Sequence, residues 1–173
     1  AWTSYRIGES FMNKNDIERA IDNLSKNLMK DYPEGSVDLI SLNHAPKYFT
    51  VDLSKSLNID TRIQKLEFEN YEVRTNSGEV KIIKDLQYPI YGRNIILTDG
   101  IIISGITHDY LCNMLNQRFP KSIAIASIAS KPKLLKRTLP TCYTLFNFSD
   151  EMIEGYGMGS DQLKERKSLF DVR

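Results

Sequence analysis

The sequence has 173 residues, of which 41% are hydrophobic and 26% charged, and its formal net charge is +1. Such a chain is long enough to bury a core and too apolar to be disordered, so we predict one soluble domain over residues 1–173. The balanced charge argues against nucleic acid as a partner, and no apolar run is long enough to predict a membrane span.

The two cysteines and the first residues bear on the compartment. Cys112 and Cys142 lie far apart with no CxxC spacing, which predicts small buried apolar side chains and suits a reducing environment. The start, AWTSYRIGES, lacks the basic and then apolar pattern of a secretory signal. A cytoplasmic location is therefore expected.

The first predicted element is an amphipathic helix within NKNDIERAIDNLSKNLMKDY. Its apolar side chains recur at helical spacing, and the Asn and Asp residues at its start are candidates for the N-cap. The residues predicted to share the buried face are Ile17, Ala20, Ile21, Leu24 and Leu28.

Alternating strand and helix patterns follow. SVDLISL predicts a strand, and KYFTVDLSKSLNI predicts a helix that covers a sheet with Tyr48, Val51, Leu53 and Leu57. TRIQKLEFENYEVRTNSGEVKIIKDL then predicts a strand, a polar loop and a strand. NIILTD, THDYLCNMLNQRF and SIAIASIA predict a strand, a helix and a strand. This alternation predicts an α/β fold with a mainly parallel sheet flanked by helices.

The stretch DGIIISGIT lies between a predicted strand and a predicted helix, where ligands of such sheets collect. Ser104, Gly105, Ile106 and Thr107 can offer consecutive backbone amides and two hydroxyls to an anion at the positive end of the helix. Gly105 allows close approach of the backbone. An ordinary tight turn explains the spacing equally well, because it matches neither the Walker loop nor the dinucleotide fingerprint.

Four motifs in order carry a resemblance to a known family. SGEVKIIKDL, GRNIILTDGIIISGIT, SIAIASIASKPKLLKR and FSDEMIEGYGMGSDQ resemble the hypoxanthine-guanine phosphoribosyltransferases of the type I phosphoribosyltransferase fold. DIERAIDNLSKNLMKDY is similar to that family's N-terminal helix. The resemblance implies a twisted, mainly parallel sheet with a small hood. It also implies Mg²⁺-dependent transfer of a phosphoribosyl group from phosphoribosyl pyrophosphate to a purine base, and a homodimer or homotetramer.

Several positions match residues to which the family gives a role. The resemblance places Ser104–Thr107 in the loop that binds the 5′-phosphate, where backbone amides tolerate any side chain at the third position. It places Lys131 as the lysine that reads the exocyclic oxygen of a 6-oxopurine. Met152 stands where the family stacks an aromatic ring on the base, and Ile153 where its backbone contacts the base.

The positions at the reaction centre depart from the family's pattern. Asp99 and Gly100 stand where two adjacent acids hold the ribose hydroxyls and help to place Mg²⁺. One carboxylate remains as a metal ligand, so we expect weaker metal binding. Ile103 stands where an aspartate handles the proton on the purine N7, and isoleucine cannot act as a general base. The catalytic residue is therefore unassigned.

The outer loops depart from the pattern as well. Asn43 and His44, within LNHAP, occupy the pyrophosphate loop, where His44 aligns with the family's lysine. Asn70 and Tyr71 replace the serine-tyrosine pair of the flap. Gly159 replaces an aspartate that contacts the base or the metal.

These departures leave three functions open. The first is an enzyme of purine salvage that forms nucleotides from hypoxanthine or guanine. The second is a catalytically impaired paralogue that binds nucleotides or regulates, and the third is a phosphoribosyltransferase with altered base preference. Uracil phosphoribosyltransferases have a loop resembling DPMLATGGS, with one acid at these positions. A single acid is therefore compatible with turnover.

Two other groups near the loop are candidate ligands. His108, in the first turn of the predicted helix, is predicted to be a solvated surface group rather than a phosphate ligand. Lys131, Lys133, Lys136 and Arg137 are predicted to form a basic rim on the substrate side rather than an RNA-binding surface.

Overall fold

The computed structural model describes residues 12–33, 35–44, 46–70, 78–149, 151–159, 165 and 167–172. Its helices are α1 (Lys14–Asp31), α2 (Lys47–Ser56) and α3 (Ile106–Asn116). Its strands are β1 (Ser36–Leu42), β2 (Asp60–Asn70), β3 (Val80–Lys84), β4 (Asn94–Ile102), β5 (Ser122–Ser130), β6 (Cys142–Asn147), β7 (Ile153–Glu154) and β8 (Phe170–Asp171). A short 3₁₀ turn covers Pro132–Leu134.

Six strands form the central sheet, in the order β3-β2-β1-β4-β5-β6. The pairs β1–β2, β1–β4, β4–β5 and β5–β6 are parallel, and β2–β3 is antiparallel. From β1 the chain runs through α2 to β2 on one side, whereas from β4 it runs through α3 to β5 on the other. The topological switch point therefore lies between β1 and β4, and the predicted mainly parallel α/β fold is confirmed.

The sheet is covered on both faces, which explains the nearly continuous burial along β1 and β4. Side chains of α1 and α2 pack on one face, in a cluster that includes Val37, Leu39 and Ile96. Side chains of α3 pack on the other face, with Ile40 and Leu97. Adjacent residues of a strand thus serve opposite cores.

Helix α1 forms where the sequence predicts it. The Asn13 side chain accepts a hydrogen bond from the backbone N–H of Asp16, and the Asp16 carboxylate accepts one from the backbone N–H of Asn13. This capping box satisfies two free amides of the first turn. Ile17, Ile21, Leu24 and Leu28 are buried as predicted, and Ala20 is partly buried.

Helix α2 forms as predicted, but its buried face is rotated. Phe49, Thr50 and Leu53 are buried, whereas Val51 is 42% exposed. The prediction for Val51 was wrong because the apolar residues of this short helix fit more than one stripe, and Phe49 determines which stripe meets the sheet.

The ends of the chain meet in a small antiparallel piece beside the main sheet. Met12 and Leu169 exchange two backbone hydrogen bonds, of 3.2 and 2.8 Å, and β7 pairs with β8. N-terminal and C-terminal segments thus form the hood that the resemblance implies.

The cysteine prediction holds for one residue only. Both cysteines are free, but Cys112 is buried and Cys142 is exposed, because Cys142 begins the edge strand β6. Burial raises the pKa of the Cys112 thiol to about 12. No helix in the part of the chain that the structure describes is long and apolar enough to cross a membrane.

A buried carboxylate on β1 joins β2 and the residue before β4, near the N-terminal ends of these parallel strands. Asp38 on β1 is fully buried. It accepts hydrogen bonds from Arg62 on β2 (2.5 Å), from Arg93 before β4 (2.7 Å) and from Gln64 (3.2 Å). The two guanidinium groups balance a charge that would otherwise be costly to bury.

We expect the double substitution Arg62→Ala and Arg93→Ala to lower the free energy of unfolding by about 2 kcal/mol, because it leaves Asp38 buried without a cation. Both arginine side chains are about a third exposed, so the loss should be smaller than for a fully buried pair. Urea unfolding measures the change in the free energy of unfolding. Lys65→Ala is the control, because it removes an exposed cation from β2. A double variant as stable as the Lys65 variant would contradict this account.

Candidate functional site

The carboxyl ends of the parallel strands bring the predicted site residues to one edge of the sheet. Registers of Ser41 with Thr98 and of Ile102 with Ser130 place the ends of β1, β4 and β5 side by side. Segments that contain Asn43, Ile103 and Lys131 directly follow these strands. This edge lies at the switch point, which is where open α/β sheets bind ligands.

The turn from β4 to α3 has the geometry of an anion-binding loop. Gly105 is the N-cap of α3, with φ +73°, and α3 begins at Ile106. The Ile106 N–H donates to the Ser104 hydroxyl at a long 3.4 Å, and the Ser104 carbonyl accepts from the Lys136 N–H at 2.8 Å. The amides of the first turn have no partner within the helix, so they and the helix dipole favour an anion here.

Glycine at position 105 leaves room for neighbouring side chains of the protein as well as for an anion. A Cβ built there would lie 2.8 Å from Leu135 Cδ1 and 3.0 Å from Leu139 Cδ1. The positive φ also disfavours any other residue. A larger side chain would therefore strike the segment that packs against the loop, so a Gly105 variant tests the packing of the loop before it tests anion binding.

Asp99 and His108 form a hydrogen-bonded pair across the two ends of the loop. Asp99 Oδ2 lies 2.7 Å from His108 Nε2, and Asp99 Oδ1 accepts from the Gly100 N–H at 2.7 Å. His108 is only 7% exposed. The prediction of a solvated histidine was wrong, because the first turn of α3 places this side chain against β4. The pairing depends on a contact between two elements that has no sequence signal.

The first turn of α3 also contacts the end of β2. The Thr107 hydroxyl donates to Asn70 Oδ1 at 3.3 Å. Asn70 is the last residue of β2, where the chain enters the predicted flap. The other predicted flap residue, Tyr71, lies outside the described residues.

Lys131 is held at the end of β5 by its backbone and by an aromatic ring. Its N–H donates to the Ile102 carbonyl at 2.9 Å, and its Nζ lies 4.8 Å from the centroid of the Phe148 ring. A cation over a ring face is attracted electrostatically. Sequence reasoning missed Phe148, although an aromatic residue at the start of the matching motif FSDEM was the available signal.

Met152 and Ile153 lie at the start of the hood strand β7. Met152 is 61% exposed, and Ile153 is buried. The Met152 N–H donates to Asp171 Oδ1 at 3.3 Å, and its carbonyl accepts from the Val172 N–H at 2.8 Å. Gly159, at the end of the same segment, has φ +85°.

The loop after β1 is tied to β2 by Asn43. Asn43 has φ +56°, a left-handed conformation that asparagine tolerates. Its N–H donates to the Leu66 carbonyl and its Oδ1 accepts from the Phe68 N–H, both at 2.9 Å. His44 follows with an exposed side chain, 3.7 Å from Glu67 Oε1. Asn43 thus shapes the loop, and His44 is accessible.

The acids available at this edge are few. Ile103 is 45% exposed at the start of the loop and offers no proton acceptor. Gly100 is buried, so of residues 99 and 100 only Asp99 carries a carboxylate. Among the described residues, no group of three or more His, Cys, Asp or Glu side chains is arranged to hold a metal ion.

Sequence and structure comparisons point to one family. The hypoxanthine-guanine phosphoribosyltransferase of Streptococcus pyogenes is 33% identical over 153 residues, which cover 88% of this chain and 85% of the relative. That of Bacillus subtilis is 29% identical over 153 residues, with 88% and 85% covered. No protein-family model matches the sequence.

Solved structures agree in fold. A crystal structure of a hypoxanthine-guanine phosphoribosyltransferase from Bacillus anthracis, with HEPES in its active site, superposes with a TM-score of 0.90 at 24% identity, covering 95% of this chain and 98% of that one. A variant of the hypoxanthine phosphoribosyltransferase of Trypanosoma cruzi, complexed with its product IMP, superposes with a TM-score of 0.89 at 23% identity, covering 98% and 92%.

The sheet order, the hood and the loop at the switch point define an α/β protein of the type I phosphoribosyltransferase fold. Because a relative at 33% identity matches over most of both chains, this chain belongs to the hypoxanthine-guanine phosphoribosyltransferase family.

Proposed function

We propose that the protein transfers the 5-phosphoribosyl group of phosphoribosyl pyrophosphate to hypoxanthine or guanine. N9 of the base forms the bond to C1′ of the sugar, the bond from C1′ to pyrophosphate breaks, and the base loses its N7 proton. The observation that carries this proposal is the loop Ser104–Thr107, which opens α3 beside Lys131 at one edge of the sheet.

The loop is proposed to bind the 5′-phosphate. Its backbone amides and the positive end of the 11-residue helix α3 attract an anion whatever the side chain of Ile106 is. The Thr107 hydroxyl donates to Asn70, and this contact couples the phosphate loop to the base of the flap. The proposed flap residues are Asn70 and Tyr71.

The base is proposed to lie between Lys131 and the start of β7. The Lys131 ammonium donates to the exocyclic oxygen of a 6-oxopurine, a preference that adenine does not satisfy. The contact with Phe148 restricts the lysine to positions over the ring. The backbone of Ile153 contacts the edge of the base, and the exposed thioether of Met152 lies against its face without the rigidity of an aromatic ring.

The ribose hydroxyls are proposed to donate to Asp99, and Asn43 and His44 to line the pyrophosphate path. Mg²⁺ is compatible with these residues, because this ion binds commonly through one or two carboxylates together with substrate phosphates. Asp99 would hold it, and the ion would neutralise the departing pyrophosphate. With one carboxylate at this position, the metal is bound weakly by the protein.

Turnover is proposed to be slow because Ile103 offers no general base. Positioning and charge stabilisation supply much of the catalysis of a reaction whose transition state places positive charge on the sugar. A general base typically contributes about 10²-fold or more. Ile103 is 45% exposed, so water can accept the N7 proton in place of a carboxylate.

The second candidate is a paralogue that binds nucleotides without turning them over. Ile103 and Gly100, at positions where the family has acids, favour it. A phosphoribosyltransferase with another base preference is the third candidate, favoured by Met152.

One competition experiment separates these candidates. Hypoxanthine, guanine, xanthine, adenine and uracil are mixed in equal amounts with phosphoribosyl pyrophosphate, Mg²⁺ and the protein, and the nucleotides formed are resolved by chromatography. We expect IMP and GMP to dominate. Lys131→Met should reduce this preference, whereas the exposed Lys133→Met should preserve it. Dominance of another nucleotide would favour the third candidate, and absence of all five would favour the second.

We expect Asp99→Ala to weaken the binding of phosphoribosyl pyrophosphate about tenfold, because hydrogen bonds to a charged group are lost. Calorimetric titration with and without Mg²⁺ measures this, and Mg²⁺ should strengthen binding to the native protein only modestly. Asp109→Ala, which removes a charge in the first turn of α3, is the matched control and should not weaken binding. An unchanged affinity in the Asp99 variant would remove Asp99 from the site.

A further inference from the structure

His108 is a buried polar residue to which the proposed function gives no role. It lies in the first turn of α3, and its Nε2 is 2.7 Å from Asp99 Oδ2. The imidazole is assigned as the donor of this bond, because a carboxylate accepts hydrogen bonds and Nε2 can carry a proton. The bond joins β4 to α3 across the two ends of the phosphate loop.

The hydrogen bonds of Asp99 leave part of its carboxylate available. An ionised carboxylate has about four acceptor positions, two on each oxygen. The Gly100 N–H uses one position on Oδ1, and His108 uses one on Oδ2. Within the described residues one position remains on each oxygen, so when no Mg²⁺ is bound the free positions equal in number the hydroxyl groups on the 2′ and 3′ carbons of a ribose.

The orientation of this carboxylate depends on few groups. The next residue is Gly100, which supplies no second acid to share the ribose or a metal. Each Asp99 oxygen is instead fixed by one donor of the protein, on one side by its own backbone and on the other by His108. Of these two donors, only the imidazole belongs to a side chain, so it is the one that a substitution can remove.

We propose that His108 is a positioning residue that holds Asp99 with its free acceptor positions available to the two ribose hydroxyls. In this chain Asp99 has no neighbouring carboxylate with which to share the ribose, and the imidazole orients it. The proposal rests on the proposed function, because it requires that Asp99 receives the ribose. A histidine that only fills the core would instead support the loop as a whole, and with it the phosphate site.

The two roles differ in how His108 variants distinguish IMP from its 2′,3′-dideoxy analogue. Both ligands carry the same base and 5′-phosphate, so the ratio of their affinities isolates the ribose hydroxyls. We expect His108→Leu to reduce that ratio about tenfold, since it removes a donor to a charged group while keeping an apolar volume. Affinity for the dideoxy analogue should be nearly unchanged.

Three further variants make the test specific. His108→Gln should retain most of the ratio, because the glutamine amide can donate to the same carboxylate oxygen without being an imidazole. Asp99→Asn should lower the ratio by itself, and adding His108→Leu to it should produce little further change. Asn113→Ala, at an exposed position of α3, should behave as the native protein. Calorimetry gives all affinities, and thermal melts establish that each variant is folded.

The outcomes separate this inference from the proposed function. Equal losses for both ligands in His108→Leu, or no retention in His108→Gln, would overturn the positioning role while the nucleotide site stands. A folded native protein that binds neither ligand would overturn the proposed function and this inference together. A loss confined to IMP, retained by glutamine, supports the inference.

Discussion

Replacing Ser104 with aspartate is expected to weaken IMP binding by about 100-fold, because charge-assisted hydrogen bonds of the 5′-phosphate are lost. Ser104 directly precedes the N-cap Gly105, and its hydroxyl already accepts from the Ile106 N–H. A carboxylate at this position would occupy the amides proposed for the phosphate, and its charge would repel a second anion. Calorimetric titration with IMP measures the loss.

Two comparisons ensure that the loss is due to the phosphate. Ser104→Asn has nearly the shape of aspartate without the charge, so its amide oxygen can accept from the same N–H groups but does not repel the phosphate. It should therefore weaken IMP binding much less than Ser104→Asp does. Inosine, which lacks the phosphate, should bind Ser104→Asp and the native protein equally. If the aspartate variant binds IMP as tightly as the asparagine variant does, the phosphate does not lie in this loop.

Replacing Ile103 with aspartate is expected to raise turnover of hypoxanthine by about 100-fold, the lower range of general-base catalysis. The exposure of Ile103, 45%, decides two points. Removing a half-solvated side chain costs little packing, and an aspartate in contact with water keeps its charge. Steady-state rates with saturating phosphoribosyl pyrophosphate, together with IMP affinity, measure the effect.

Ile103→Asn is the control, because it offers a polar group of the same size that cannot take a proton. It should leave the rate near that of the native protein. A gain in both variants would point to solvation rather than to proton transfer. If the aspartate variant binds IMP and is no faster than the native protein, proton removal at position 103 does not limit the reaction.

The fold could be predicted because its signals are local. Apolar periodicity and capping residues place α1, and the alternation of strands with helices predicts the parallel sheet. The error at Val51 has a local cause as well, since ten residues of helix α2 do not determine one stripe by themselves. The core of the sheet, and Phe49 in it, decides which face of that helix is buried.

Of the candidate site, the sequence predicts only which residues lie at the carboxyl ends of the strands. That Ser104–Thr107 and Lys131 lie at one edge follows from the rule that parallel strands end together. The side-chain pairs that organise this end of the sheet could not be predicted, because each joins two different elements that meet only in the folded chain. Asp99 meets His108 only once α3 has packed on β4, and Lys131 meets Phe148 only through the register of β5 with β6.

The central claim is that this protein makes purine nucleotides rather than only binding them. The direct measurement follows IMP and pyrophosphate in one reaction that contains hypoxanthine, phosphoribosyl pyrophosphate, Mg²⁺ and the protein. We predict that both accumulate in equal amounts, beyond the concentration of protein. Neither should form without hypoxanthine, and both should form more slowly with the Ser104→Asp variant. The claim would be contradicted if the native protein binds IMP in calorimetry but forms no IMP in this reaction.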